Sequence, residues 1–200
     1  MLRFLHTKVY ISIFALALIC ILSFSYDAVY LYIAILSAFL HELGHLIFMK
    51  HYGVEISKIS IYPFGVNICT NPKALGYSQE AIISLSGTVT SLILFLVSSL
   101  LLRIHTSPLL FAFSVSNFIF FTVNILPVKG LDGGNALLSL LLCKYDFTKA
   151  YGIYSVISTI AFAFLCLIAF YLIYVTRYNL SLLFICTYLF ISEYIRQKSV

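Results

Sequence analysis

His41-Glu42-Leu43-Gly44-His45 lies inside an apolar run that begins near Ala28 and ends near Met49. Two histidines four residues apart share one face of a helix, so their imidazoles can hold a single metal ion. Glu42, beside the first of them, sits about 100° around the helix, near enough to act on a water at that metal. The run itself is long enough to cross a bilayer. A charged residue at membrane depth costs about 2.5–3.5 kcal/mol on insertion scales, so Glu42 is expected to have a function there. The competing explanation is a chance match, with both histidines merely satisfied inside a core.

Composition sets the class. Of 200 residues 62% are hydrophobic and 10% charged, with a mean hydropathy of +1.06, where a soluble domain carries about 25% charged residues. The expectation is an all-α polytopic membrane protein forming one domain over residues 1–200. Five apolar stretches reach or approach the length of about 18 residues that a span needs: Val9–Phe24 with its flanks, Ala28–Met49, Ala81–Leu102, Pro108–Pro127 and Ala150–Val175. A sixth, Leu180–Ile195, is a little short. The first is expected to be a mature helix, because no small-residue cleavage site follows it. The cysteines Cys20, Cys69, Cys143, Cys166 and Cys186 show no CxxC pairing and read as small apolar side chains. The 15 Tyr and 18 Phe are expected mainly against lipid and at its interfaces.

The net charge of +5 does not form a patch that would suit nucleic acid. With six spans and a cytoplasmic N-terminus, Arg3, Lys8, Lys50, Lys58, Lys73, Lys129, Lys144, Lys149, Arg196 and Lys198 fall on the cytoplasmic side, and only Arg103 and Arg177 outside. That positive-inside bias places both termini in the cytoplasm. It also puts His41–His45 toward the cytoplasmic end of the second span.

A catalytic zinc takes three protein ligands and keeps one position open. His41 and His45 supply two. Asp27, His6 and His105 lie at the wrong end or at the chain start. Asp146 and Glu193 border helix ends, and Glu80 opens the third span, where the helix dipole favours an acid. His51 and Glu55 lie just beyond the motif helix. Asp132 has the most unusual setting, Asn124-Ile-Leu-Pro127-Val-Lys-Gly-Leu131-Asp132-Gly133-Gly134, where Pro and Gly break a helix before a second apolar helix from Asn135 to Cys143. Broken helices at membrane depth are tolerated where they line an enclosed or watery site.

HELGH in one span and NxxPxxxLDGG about 80 residues later resemble the site-2 protease family of intramembrane zinc metalloproteases. The second motif is met at Asn124, Pro127, Leu131, Asp132, Gly133 and Gly134. The compact layout is similar to the branch containing stage IV sporulation protein FB, which processes a membrane-tethered sigma-factor precursor. The resemblance implies one Zn2+ per chain held by His41, His45 and Asp132, Glu42 as general base and later acid, and Asn124 holding the substrate backbone or oxyanion. It implies a membrane-tethered protein substrate, and a membrane inhibitor or regulator as a further partner. The chain is expected to lie in a bacterial cell membrane. Two features depart from the family: Gly87-Thr88-Val89-Thr90-Ser91 stands where many relatives carry Gly-Pro-x-x-Asn, and no stretch reads as a PDZ or CBS domain.

Between Gly53 and Thr70, apolar residues alternate with polar or small ones, with one slip at Ser57-Lys58 and a turn signal at Pro63-Phe64-Gly65. This predicts a small β element at the membrane surface, whose edge is suited to hold a substrate in extended form. Two other functions fit parts of the pattern. A metal-ion transporter has no need for Glu42 beside His41, and a catalytically inactive substrate-binding protein would be expected to have lost Glu42 or a ligand.

Overall fold

The computed structural model describes residues 2–4, 7–11, 28–62, 65–70 and 75–177, together with Leu182, Leu183, Cys186, Thr187, Leu189 and Phe190, which are helical. In order, the elements are strands β1 (Leu2–Phe4) and β2 (Thr7–Ile11), helix α1 (Ala28–His51), strands β3 (Ile56–Tyr62) and β4 (Gly65–Thr70), and helices α2 (Tyr77–Leu102), α3 (Pro108–Asn124), α4 (Asp132–Leu142) and α5 (Phe147–Thr176). The fold is mostly helical. α1, α2 and α5 are long and apolar enough to cross a membrane, and α3 is apolar but shorter, at 17 residues.

The helices are apolar outward and polar inward. Phe39, Ile93 and Phe164 are each more than half exposed, an arrangement suited to lipid. Ser37, Ser86, Thr88, Ser91, Ser98, Ser114 and Asn117 are buried. Small polar residues at helix interfaces let backbones approach and hydrogen-bond across the gap. Asn117, wholly buried, donates from Nδ2 to Ser37 Oγ (3.1 Å) and to Phe113 O (2.8 Å), pinning α3 to α1. Such an interhelical bond is worth about 0.6–2 kcal/mol. α2 is central and packs against α1, α3 and α4.

α1 stops for a local reason. Gly53 takes φ +67°, and Gly53 and Val54 donate to the carbonyls of Lys50 and Met49 at 3.0 and 2.9 Å. These paired bonds close the helix in a Schellman turn, and Lys50 and His51 complement its negative end. The chain then enters a four-stranded sheet of order β1-β2-β3-β4. β3 and β4 pair antiparallel, with a register irregularity between Ile56 and Lys58, where the alternation slips in the sequence. Pro63 and Phe64 of the expected turn lie outside the described residues.

The N-terminal expectation needs correction. Val9, Tyr10 and Ile11 open the expected first span, yet they are strand, paired in parallel with Ile59, Ser60 and Ile61. Val9 and Ile11 are β-branched and Tyr10 is aromatic, residue types that suit a strand as readily as a membrane helix, and here an available sheet partner decides. A parallel pair requires a crossover connection, and the one between β2 and β3 contains α1. The remainder of Val9–Phe24 and most of Leu180–Ile195 lie outside the described residues.

α3 ends at Asn124 and α4 begins at Asp132, so helix resumes three residues earlier than the expected Asn135. Asp132, Gly133 and Gly134 are the first turn of α4, and the non-helical passage is Ile125–Leu131. Val128 and Leu131 are buried with Leu165 and Ala169 of α5 and with Cys186 and Leu189. The backbone of Lys129 donates to Ser158 Oγ at 2.7 Å, and its ammonium lies over the rings of Tyr151 and Tyr154. α5 therefore fastens the passage that delivers Asp132. A side chain at Gly133 or Gly134 would collide with the carbonyls of Ile125 and Val128, so only glycine lets the passage fold back on the helix it starts.

Candidate metal centre

His41 and His45 lie on the inward face of α1 and are 4% and 7% exposed, so solvent does not compete for their ring nitrogens. Asp132 reaches them from the first turn of α4. Its Oδ2 lies 3.0 Å from His41 Nε2 and 3.2 Å from His45 Nε2, and the two Nε2 atoms are 3.4 Å apart. Among the described residues these three form a group able to hold a metal ion.

The donor set fits zinc. Two imidazole nitrogens and a carboxylate oxygen are ligands that zinc accepts, at about 2.0–2.2 Å. In a tetrahedron with such bonds the ligand atoms are about 3.3–3.6 Å apart, close to the edges of this triangle. The outer contacts agree. His45 Nδ1 lies 2.8 Å from the carbonyl of Ile83, which can only accept, so Nδ1 carries a proton and Nε2 is the nitrogen left to take a metal. That nitrogen faces the carboxylate oxygen of Asp132. His41 Nδ1 lies 2.9 Å from Ser91 Oγ, and Thr88 Oγ1 donates to Asp132 Oδ2 at 3.2 Å.

Glu42 is half-buried one residue along α1, within electrostatic reach of His45, His41 and Asp132. Phe120 of α3 covers the other side of His41, with ring centroids 5.7 Å apart. Asn124 stands one turn farther along α3 and donates from Nδ2 to Phe120 O at 3.0 Å. The three candidate ligands are thus brought together with Glu42 beside them, whereas Asn124 is placed at the end of the neighbouring helix.

The other acids and histidines fall elsewhere. His51 is exposed at the end of α1, its ring against Tyr52. Glu55 is exposed at the entrance to β3. Glu80 accepts from Ser139 Oγ at 3.3 Å, His105 is exposed between α2 and α3, and Asp146 is exposed before α5. Asp27, His6 and Glu193 lie outside the described residues.

The contribution of α2 was not found by motif reading. Its Gly87-Thr88-Val89-Thr90-Ser91 looks like a broken family pattern, yet every inward position of it touches the centre. A side chain at Gly87 would collide with the His45 ring, and one at Gly44 would collide with Thr90 and approach the carbonyl of Ser86 to 2.9 Å. The available signal was a cluster of small hydroxyl residues at three- and four-residue spacing within a span.

No protein-family model matches the chain. Over 128 residues, 62% of the chain, it is 33% identical to a zinc metalloprotease of Methanocaldococcus jannaschii. The match spans 37% of that relative's length. The solved structure of a site-2 protease from Methanocaldococcus jannaschii superposes with a TM-score of 0.69 at 24% identity, covering 96% of this chain and 91% of that one. At that identity the likeness establishes the fold.

Proposed function

We propose that this chain belongs to the site-2 protease family and is an intramembrane zinc metalloprotease that hydrolyses a peptide bond in or beside a membrane segment of a protein substrate. The observation that carries the reading is the convergence of His41, His45 and Asp132 from two separate elements, with Glu42 next to the first ligand. Zinc bound by these residues supplies a Lewis acid that makes water acidic near neutral pH. Glu42 takes a proton from the attacking water and returns it to the departing amine. The carboxamide nitrogen of Asn124 has two hydrogens, and the one not given to Phe120 is assigned to the substrate backbone or its developing oxyanion.

A helical peptide bond is shielded and already hydrogen-bonded, so a substrate must be extended before it is cut. β4 is a terminal strand of the sheet, and strand addition along it would hold a substrate in that form. The charge distribution supports six spans with both termini in the cytoplasm, and hence cleavage toward the cytoplasmic side. The resemblance to the sporulation branch supports a membrane-tethered transcription-factor precursor as substrate and a released cytoplasmic regulator as product. It also supports placement in a bacterial cell membrane and control by a membrane inhibitor.

The test is to incubate detergent-purified protein with such a precursor, with and without a zinc chelator. A shorter product that disappears with chelator and in His41→Ala supports the reading. A His41→Ala variant that still binds one equivalent of zinc tightly moves the metal to other ligands, and uptake of ions into vesicles without cleavage would make the chain a transporter.

A further inference from the structure

We propose that α2, which supplies no ligand, sets the metal affinity of the centre through two positioning residues, Thr88 and Ser91. The inference rests on the zinc reading above and concerns what holds the ligands in place. A histidine that binds through Nε2 must keep its proton on Nδ1, and the group facing Nδ1 decides how stably it does so. For His45 that group is the main chain, Ile83 O at 2.8 Å. For His41 it is a side chain, Ser91 Oγ at 2.9 Å. With a metal on Nε2 the proton is on Nδ1, and the hydroxyl accepts from it, which holds the ring at one rotation.

Thr88 acts on the third ligand. Its hydroxyl donates to Asp132 Oδ2, the same oxygen that faces both histidines. A carboxylate can turn either oxygen toward a metal, and this bond selects one and stops its rotation. Thr88 and Ser91 are three residues apart and so project from one face of α2. Both are wholly buried, so neither hydroxyl is solvated in competition with these bonds. They also stand at the two positions where the chain departs from Gly-Pro-x-x-Asn. Proline at position 88 would bring no donor. The hydroxyl of Thr88 is therefore a donor that the common pattern lacks, and Ser91 places a hydroxyl on His41.

The experiment titrates the detergent-purified, metal-free protein with Co2+, read by its absorption spectrum, and with Zn2+ against a chromophoric chelator. Ser91→Ala removes one oxygen, Thr88→Val replaces a hydroxyl by a methyl, and Thr88→Ser restores the hydroxyl on a smaller side chain. Ser91→Ala and Thr88→Val are each expected to bind about 10–100-fold more weakly, with an altered Co2+ spectrum. Thr88→Ser is expected to regain most of the affinity. Wild-type affinity and spectrum in both Ser91→Ala and Thr88→Val would overturn the proposal while leaving the metal centre intact. Equal losses in Thr88→Val and Thr88→Ser would also overturn it for Thr88, because packing would then be the cause. A wild-type protein that takes up neither ion removes the zinc reading itself, and this proposal with it.

Discussion

His41 Nε2 and Asp132 Oδ2 lie 3.0 Å apart although 91 residues separate them in the chain. The contact depends on three things. α1 must present His41 inward, the passage Ile125–Leu131 must be anchored against α5, and Gly133 and Gly134 must let the first turn of α4 pack against that passage. The three candidate ligand atoms converge on one point, so a positive charge placed there is attracted to all of them. A divalent ion supplies that charge.

Asp132→Asn keeps the volume of the side chain and removes its charge. Loss of an outer partner costs about 10–100-fold in metal affinity, so loss of a ligand is expected to cost more than about a hundredfold. Cleavage should fall in parallel. Asp146→Asn is the control. The hydroxyl of Thr148, 2.6 Å away, holds the exposed Asp146 carboxyl below the usual carboxylate range. Any stability from that lowered pKa is complete above about pH 4 and is lost only as the pH falls through it. At neutral pH its removal should leave zinc content and cleavage unchanged. Zinc measured by elemental analysis and precursor cleavage on gels check both variants, and normal zinc in Asp132→Asn would send the third ligand elsewhere.

Glu42→Gln separates binding from chemistry. It leaves all three ligands in place and removes the group that moves the proton, so zinc content should stay near one per chain. Cleavage should drop by about 10²–10⁴-fold, the range for loss of a general base. Near-normal turnover by a clean preparation of this variant would rule out the proposed proton transfer.

Gly87→Ala tests the close approach of α1 and α2. Alanine is a better helix former than glycine by about 1 kcal/mol, so on propensity alone the substitution should strengthen α2. Its methyl group, however, would sit on the His45 ring, where Cδ2 and Cε1 are 2.6 and 2.7 Å away. The ring must shift, and zinc affinity is expected to fall by at least about tenfold, with helicity by circular dichroism retained. Unchanged affinity would show that His45 can move without leaving the metal.

The parts of the fold that were legible in the sequence have periodic or chemical causes close at hand. The α1, α2, α3 and α5 helices follow from long apolar runs, and the β3–β4 hairpin follows from alternation, including its slip beside Lys58. The HELGH spacing alone places two candidate ligands and Glu42 on one helix. What could not be read locally was set by tertiary partners. Val9–Ile11 is strand because β3 lies beside it, and Asp132 meets the histidines because α5 holds the preceding passage. The outer contacts from Thr88 and Ser91 were hidden for a related reason: the spacing of hydroxyl residues along a span marks a packed face, but which groups they touch is decided only once α1 and α4 have packed against it.

The last prediction concerns orientation. Ten of the twelve Lys and Arg residues fall on one side if the chain crosses six times, and this asymmetry is the force that orients membrane helices during insertion. α1 carries Lys50 and His51 in its last turn, so the end of the helix that bears the metal ligands should face the cytoplasm. A reporter that fluoresces only in the cytoplasm, fused after Val200, should be bright, and one inserted between α2 and α3 at His105 should be dark. A cysteine placed at Glu55, exposed beyond α1, should react with a membrane-impermeant thiol reagent only after the cells are opened. Labelling of that cysteine in intact cells would reverse the orientation of α1, and would put the cleavage site on the outer side.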